Sequence, residues 1–280
     1  MIRVVSDHRC ILGEGVFWHP DRQSLFWFDI LGQRLFEKAG DSLRYRDFDR
    51  PVSAAARVDG DRLLVASARD LVVLDLARDR ETVLCALEAD RADTRSNDGR
   101  ADPQGGFWIG TMGFGAEAGA GAIWRWHGGR LERLFSGLTI PNAICFAPDG
   151  GTAYFTDTAR RVICRVALDG AGWPRGAPAD WLDLRAEGLN PDGAVVDAAG
   201  NLWNAQWGAG RVACYGPDGQ FREAVAFPTA QISCPAFGGA ALSTLYATSA
   251  SVGQEDDPVA GQTFATGLEV TGQAEHRVVL

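Results

Sequence analysis

Short apolar runs, rich in β-branched and aromatic residues, recur along the chain and are divided by Pro, Asp and Gly turns. Each run has the length and composition of a β-strand. The runs that follow a turn align best, and they occupy residues 24–29, 62–67, 106–111, 152–157, 201–206 and 244–249. A further run comes after most of them, at residues 34–37, 71–75, 122–126, 162–166 and 211–215. No segment shows a sustained helical period, so the pattern predicts an all-β fold.

These strands belong to a repeat. A leading apolar strand, a turn, a second strand and one or two further strands recur six times, with a period of about 40 to 50 residues. Six such units are typical of a six-bladed β-propeller, whereas a β-sandwich does not require the repeat. We therefore predict a single six-bladed propeller domain over residues 1–280. Because ring closure usually pairs one end of the chain with a blade begun by the other, residues 2–5 are expected beside strands near 263–270 and 276–279.

One position of the repeat is often polar. It lies just ahead of each strand–turn–strand pattern, at the same distance from the turn, and is occupied by Glu14, Ala54, Asn97, Asn142, Asp192 and Ser233. Equivalent positions in a closed ring face a common axis. The repeat therefore predicts that side chains far apart in sequence meet at one mouth of the central channel.

Glu14, Asn142 and Asp192 supply oxygen ligands to this ring, and two of them are charged. Converging oxygen ligands suit one divalent cation on the propeller axis, with open positions for water or substrate. Taken singly, each is also explained as a strand-start or Asx-turn residue. Three such oxygen-bearing residues at equivalent positions of the repeat favour a metal site.

Candidate substrate contacts lie beside the same ring. Asn97 is a ring position, Arg95 lies two residues before it, and both side chains suit the hydroxyl and carboxylate oxygens of a polyhydroxylated small molecule. Arg95 is equally explained as a surface ion-pair residue. Glu117 lies in a glycine-rich insert, residues 113–121, that is long enough to cover a channel mouth.

Other side chains carry less chemistry. The aromatic residues of the strands are expected to pack between blades. The six cysteines stand singly, without a C-x-x-C pair, and are expected to be buried reduced thiols. The four histidines fall in turns or at strand ends, and no G-x-S-x-G elbow occurs, which argues against a histidine-rich zinc site and against Ser-His-Asp hydrolysis. Paired-carboxylate glycosidase chemistry through Glu14 and Asp192 is a minor alternative.

The composition limits the partners. A formal net charge of −9, without a cluster of Lys and Arg, disfavours nucleic acid. No run of about 18 apolar residues predicts a membrane span, and the first residues lack a secretory signal pattern. A cytoplasmic protein, present as a monomer or weak dimer, is the expectation.

Several stretches together resemble the senescence-marker-protein/gluconolactonase family, the regucalcin-like sugar lactonases. They are Leu-Gly-Glu-Gly at 12–15, Phe-Asp-Ile at 28–30, Asn-Asp-Gly-Arg at 97–100, Gly-Thr-Met at 110–112, Pro-Asn at 141–142, Pro-Asp-Gly at 191–193, Leu-Trp at 202–203 and Gly-Arg-Val at 210–212. The resemblance extends from residue 12 to about residue 246. No single stretch is specific, but the combination is.

The resemblance implies a propeller that binds one divalent metal through Glu14, Asn142 and Asp192 and holds substrate with Arg95 and Asn97. It implies hydrolysis of aldonolactones, of pentose or hexose type, to aldonic acids. A glutamate after the Gly-Thr-Met segment contacts substrate in the family, and Glu117 is the only acid in that insert, although its glycine-rich spacing differs.

The resemblance also implies a role for Asp192 as general base, with activation of the water by the metal as the alternative. Calcium, zinc, manganese, magnesium and ferrous iron all suit the ligand set. Two other functions remain open at this point: a non-catalytic divalent-metal-binding propeller, and a lactonase or phosphotriesterase for non-sugar esters. An apolar channel mouth would favour the last of these.

Overall fold

The computed structural model describes residues 1–280 and contains six four-stranded antiparallel sheets. In five of the sheets the four strands follow one another in sequence order, and the sixth includes both ends of the strand series, in the order β1-β24-β23-β22. Each sheet is one blade of a ring. The predicted six-bladed β-propeller is confirmed.

Blade 1 consists of β2 (Gly13–His19), β3 (Ser24–Asp29), β4 (Arg34–Ala39) and β5 (Ser42–Asp47). Blade 2 consists of β6 (Val52–Arg57), β7 (Arg62–Ser67), β8 (Asp70–Asp75) and β9 (Arg80–Ala86). Blade 3 consists of β10 (Thr94–Ala101), β11 (Phe107–Gly113), β12 (Gly121–His127) and β13 (Arg130–Leu138).

Blade 4 consists of β14 (Pro141–Phe146), β15 (Thr152–Asp157), β16 (Val162–Leu168) and β17 (Pro174–Asp183), with a short 3₁₀ helix (Thr158–Arg160) after β15. Blade 5 consists of β18 (Asn190–Val196), β19 (Leu202–Trp207), β20 (Arg211–Tyr215) and β21 (Phe221–Ala226). Blade 6 consists of β22 (Ile232–Gly238), β23 (Thr244–Ser249), β24 (Thr263–Gly267) and β1 (Arg3–Ser6). No helix in the chain has the length and apolar character needed to cross a bilayer.

The ring closes through the N-terminal strand. β1 pairs antiparallel with β24, and Arg3 lies opposite Ala265 in the register. The predicted pairing of residues 2–5 with the region 263–270 is confirmed. The predicted pairing with residues 276–279 is wrong, because these residues bond elsewhere: the N–H of Val278 donates to the carbonyl of Arg57, 2.9 Å away.

Residues 271–280, here called the C-terminal strap, cross from blade to blade. The Nε2 of Gln273 donates to the carbonyls of Phe146 and Val196, the last residues of β14 and β18. Glu275 pairs with Arg100. Leading strands of a propeller run in the same direction, so the strap covers the end of the channel where they finish, opposite the end where they begin. These contacts between the strap and the blades were not apparent from the sequence of the strap.

Apolar side chains fill the spaces between neighbouring blades. One cluster joins blades 1 and 2 through Phe26, Phe28 and Leu63, and corresponding clusters lie between each later pair of blades and between blades 6 and 1. Trp27 and Trp203 are fully buried in two of them. The predicted packing role of the strand aromatics is confirmed for these residues. All six cysteines are free thiols, and the predicted burial is confirmed for five of them, whereas Cys85 is half-buried.

Candidate active site

The six ring positions all fall near the start of the leading strand of a blade. In every one of these strands the pairing register with the second strand shifts next to the ring position. The shifts lie between Glu14/Phe17, Val52/Ala54, Ser96/Gly99, Asn142/Cys145, Pro191/Ala194 and Ile232/Pro235. A β-bulge changes the direction of side chains and interrupts pairing, and bulges are common beside active sites. The repeat thus places an irregularity in strand pairing beside each ring position.

The backbone at two of the bulges adopts left-handed dihedral angles. Gly15, directly after Glu14, has a φ of +57°, and Ala143, directly after Asn142, has a φ of +55°. A Cβ atom on Gly15 would lie 2.2 Å from the carbonyl oxygen of Ser53. The dihedral angle therefore favours glycine at position 15, and the close approach of blade 2 requires it.

Most of the predicted site residues line one cavity of about 240 Å³. Its polar wall consists of Glu14, Arg95, Asn97, Asn142, Thr158 and Asp192. Its apolar wall consists of Leu12, Met112, Ile140, Trp207 and Val252. The structure therefore brings together five of the six predicted site residues, from blades 1, 3, 4 and 5.

Hydrogen bonds orient the two asparagines. The Nδ2 of Asn97 donates to Oδ1 of Asn142 at 2.8 Å and to the carbonyl of Pro141 at 3.1 Å. The Nη1 of Arg95 donates to Oδ1 of Asn97 at 2.8 Å. All three side chains are buried, so these bonds hold them in fixed orientations.

Three carboxylates are buried around the ring, and burial dominates their electrostatics. Burial, and then the charge of Asp98, raises the pKa of Glu14 to about 8. Burial, and then the charges of Glu14 and Asp98, raises the pKa of Asp192 well above its usual range. Burial also raises the pKa of Asp98, which accepts a hydrogen bond of 2.7 Å from the N–H of Ile144. Burial thus shifts the pKa of all three carboxyl groups upward, and the positive charges of Arg95 and Arg100 only partly oppose it.

A divalent cation fits this donor set. Glu14, Asn142 and Asp192 offer two carboxylates and an amide oxygen on one cavity wall, which is the hard-oxygen chemistry that such ions prefer. A cation among them would relieve the repulsion between Glu14 and Asp192 and compensate for their burial.

Arg95 is the only cationic side chain of the cavity wall. Burial lowers its pKa to about 10, while the charges of Glu14 and Asp192 act in the opposite direction. Its Nε is buried without a hydrogen-bond partner. A buried guanidinium with a spare donor is well suited to an oxygen atom of a bound ligand.

Glu117 lies apart from the other predicted residues. It is exposed and does not line the cavity, and its carboxylate accepts a hydrogen bond of 3.2 Å from the N–H of Gly115 within the same insert. The insert does begin at the cavity, since Met112 lines it and Gly113 follows. A substrate contact by Glu117 stays a prediction.

Two polar residues near the ring were missed by sequence reasoning. Thr158 lies in the 3₁₀ turn after β15, outside the repeat register, so its polar character carried no signal. Asp98 directly follows Asn97 but is not itself a ring position, so the repeat did not single it out. Trp207, one residue beyond a predicted strand, lines the cavity instead of packing between blades.

The two remaining ring positions serve the fold. Ala54 is fully buried in the apolar cluster between blades 2 and 3. The hydroxyl of Ser233 donates to the carbonyl of Gly13 and lies 2.9 Å from the hydroxyl of Thr248. Ser233 therefore connects blade 6 to blade 1.

A second group of possible metal ligands lies elsewhere. The ligand atoms of His8, Cys10 and Asp29 are within 4.8 Å of one another. The Asp29 carboxylate already accepts hydrogen bonds from the N–H groups of residues 11, 12 and 32. Burial, together with the charge of Asp29, raises the pKa of the Cys10 thiol. Asp29 thus stabilises a loop beside its strand. Asp157 does the same in blade 4, where its carboxylate accepts hydrogen bonds from the N–H groups of residues 139 and 140.

Comparisons with known proteins identify the family of the chain. Residues 12–251 match the family described as the SMP-30/Gluconolactonase/LRE-like region. The chain is 38% identical to an L-arabinolactonase from Azospirillum brasilense, with 98% of this chain and 92% of the relative covered. It is 32% identical to a 6-deoxy-6-sulfogluconolactonase from Pseudomonas putida, with 98% and 97% covered. The crystal structure of a calcium-binding protein, regucalcin, from Agrobacterium tumefaciens superimposes with a TM-score of 0.96 at 38% identity, covering 99% of this chain and 97% of that one.

Proposed function

Because the chain belongs to the SMP-30/gluconolactonase/LRE-like family, we propose that it hydrolyses sugar aldonolactones to aldonic acids with one divalent metal ion on the propeller axis. One observation carries the proposal: the oxygen-bearing side chains of Glu14, Asn142 and Asp192 line a single cavity together with the buried side chains of Arg95 and Asn97. The relatives named above include lactonases of a pentose and of a modified hexose. Pentono- and hexonolactones are therefore the first substrates to test.

Glu14, Asn142 and Asp192 would hold the metal ion. When bound, such an ion supplies Lewis-acid stabilisation of a carbonyl oxygen that gains negative charge during the reaction. The ligand set suits calcium, magnesium and manganese, and also zinc or ferrous iron. The calcium-binding regucalcin supports a metal ion in this fold, and the physiological metal of this chain is left to experiment.

Arg95 and Asn97 would bind the substrate. Both line the cavity, and Arg95 has a free donor at Nε. The Asn97 amide is already fixed by its bonds to Arg95 and Asn142, so it offers a rigid edge to a sugar hydroxyl. Binding that holds the lactone in one orientation reduces the entropic cost of the attack by water.

Asp192 would act as the general base. Its buried carboxylate lines the cavity beside the other proposed ligands, where it can accept a proton from a water molecule that attacks a bound lactone. It would take a proton from the attacking water, the ring C–O bond would then break, and the proton would pass to the leaving ring oxygen to give the hydroxy acid.

An Asp192→Asn variant tests this role, because it keeps an oxygen ligand and removes the base. A variant that retains its metal and turns over at the wild-type rate would exclude Asp192 as base. A folded variant that binds metal but loses most of its turnover supports it.

A second candidate function is supported by the apolar wall. Leu12, Met112, Ile140, Trp207 and Val252 make up nearly half of the residues around the cavity. A less hydroxylated lactone, or a non-sugar ester, would match this wall better than a fully hydroxylated one. The same ligands and the same base would serve this reaction.

A lactonase assay with a pH indicator separates these functions. The panel contains pentono- and hexonolactones of both ring sizes, simple aliphatic lactones and a phosphotriester. Higher kcat/KM on the sugar lactones supports the proposal, and higher kcat/KM on the other substrates supports the second candidate. No hydrolysis above the spontaneous rate, in protein that binds a divalent ion, would indicate a non-catalytic metal-binding propeller.

A further inference from the structure

Thr158 contributes to the cavity from outside the ring of repeat positions. It begins the 3₁₀ helix after β15, where Asp157 caps the turn by accepting a hydrogen bond from the N–H of Ala159. The N–H of Thr158 donates to the carbonyl of Ile140 at 3.0 Å. These backbone bonds fix the residue against the start of β14, the strand that carries Asn142.

The Thr158 hydroxyl joins two neighbouring blades. Its Oγ1 accepts a hydrogen bond of 3.0 Å from Nδ2 of Asn142 in blade 4. The same Oγ1 donates at 2.7 Å to the carbonyl of Pro191 in blade 5. Pro191 directly precedes Asp192, so a single hydroxyl connects the side chain of one proposed ligand to the backbone beside another.

These bonds extend the asparagine pair into a chain of hydrogen bonds across blades 3, 4 and 5. The chain of hydrogen bonds runs from Arg95 to Asn97, to Asn142, to Thr158 and to the Pro191 carbonyl, with donor–acceptor distances of 2.8, 2.8, 3.0 and 2.7 Å. A guanidinium can only donate, and a backbone carbonyl can only accept. Because Arg95 can only donate and the Pro191 carbonyl can only accept, each group between them accepts a hydrogen bond from the Arg95 side and donates one toward Pro191.

This direction determines how the Asn142 amide is turned. With its Nδ2 engaged by Thr158, its Oδ1 lies on the side of Asn97 and has a second lone pair for a cation. Exchanging the two amide atoms would place Nδ2 against Nδ2 of Asn97. It would also turn Oδ1 toward Thr158, and the hydroxyl has only one hydrogen to share between Oδ1 and the Pro191 carbonyl. A buried polar group without a partner is costly, so the exchanged orientation is disfavoured.

We propose that Thr158 is a positioning residue of the metal site: its hydroxyl holds the Asn142 amide with Oδ1 toward the metal and ties it to the blade that carries Asp192. The inference rests on the proposed function, since it assumes that Asn142 is a ligand. Partners that orient metal ligands typically change metal affinity or activity by about 10–100-fold when they are removed.

The experiment compares Thr158→Val with Thr158→Ser. Valine keeps the branched shape and removes the hydroxyl, whereas serine keeps the hydroxyl. Metal-free wild type and variants are titrated with Mn²⁺ and with Ca²⁺ by isothermal calorimetry, and circular dichroism confirms that each is folded. We expect Thr158→Val to weaken binding about 10–100-fold and Thr158→Ser to stay within about 3-fold of wild type.

The outcomes separate this inference from the proposed function. Wild-type affinity in Thr158→Val would overturn the inference, and so would equal weakening by Thr158→Ser, because the hydroxyl would then not be the cause. If the wild type binds neither ion nor any other divalent metal, the proposed function itself fails. Should the valine variant not fold, Thr158→Ala is titrated in its place under the same criteria.

Discussion

The Nδ2 of Asn97 donates to Oδ1 of Asn142 at 2.8 Å, although the two residues are 45 positions apart in sequence. They occupy the same position of the repeat in adjacent blades, each beside a β-bulge. Side-by-side packing of blades 3 and 4 makes these equivalent positions neighbours. Asn97 thereby links the proposed substrate-binding side of the cavity to the proposed metal ligands.

Removing this link should impair both functions of the site. In Asn97→Ala, Asn142 loses a donor and Nη1 of Arg95 loses its side-chain acceptor. We expect kcat/KM for the preferred lactone to fall about 100-fold and the metal affinity to fall as well. Steady-state kinetics and calorimetry measure the two effects. Asn201→Ala, in the turn between β18 and β19, is the control and should change kcat/KM less than about 2-fold.

Arg95 should act on the substrate more than on the metal. Arg95→Lys keeps the positive charge near Glu14 and Asp192 but removes the planar set of donors. We expect KM to rise about 10-fold while the metal Kd stays within about 3-fold of wild type. A change confined to the metal Kd would instead place Arg95 among the residues that hold the metal site.

The C-terminal strap should stabilise the ring through one buried ion pair. Arg100 and Glu275 have side-chain exposures of 10% and 11%, so removing Glu275 leaves a buried guanidinium without its partner. We expect Glu275→Ala to lower the free energy of unfolding by about 3–5 kcal/mol, measured by urea denaturation. Glu132→Ala removes an exposed pair with Arg130 on β13 and should cost less than about 1 kcal/mol. Equal losses in the two variants would contradict a stabilising role for the buried pair between the strap and Arg100.

His19 should make stability depend on pH. Burial lowers the pKa of His19, which is fully buried and donates from Nε2 to the carbonyl of Asp59 at 2.9 Å. As the pH falls below about 6.5, the unfolded chain takes up a proton that the folded protein refuses. Stability present above that pH is therefore lost as the pH falls.

The comparison of His19→Gln with wild type measures this contribution. Urea denaturation between pH 7.5 and about 5 should show a smaller loss of stability in the variant. Part of the loss should remain, because burial also lowers the pKa of His276. His127→Gln, which removes an imidazole at the end of β12, serves as the control. An identical pH slope in His19→Gln and wild type would contradict the prediction.

Much of the fold was predictable because its pattern is local and repeated. The runs at 24–29, 62–67, 152–157 and 244–249 coincide with strands, since a short buried apolar run and the turn residues that bound it act within a few residues. Glu14, Asn97, Asn142 and Asp192 were predictable as neighbours because the repeat assigns them the same place in their blades. The period of the repeat thus supplied long-range information that a single strand does not contain.

The features that could not be predicted from the sequence lie outside the repeat. Thr158 enters the site from a turn, and a threonine after a strand has the same appearance in sequence whether or not its hydroxyl meets an asparagine. Glu117 belongs to an insert found in one blade, so no equivalent residue defines its position. The strap lies outside the repeat, so no equivalent segment defines its place, and its partners, such as Arg57 and Arg100, lie more than 170 residues earlier. Contacts of this kind depend on the closed ring.

Metal removal and reconstitution test most directly the claim that this propeller is a metal-dependent sugar lactonase. The protein is stripped with chelator, its metal content is verified by elemental analysis, and hydrolysis of the preferred lactone is followed as single divalent ions are added. We expect the stripped protein to show only the spontaneous rate, and we expect activity to return and level off at one equivalent of metal. Full activity in verified metal-free protein would contradict the claim.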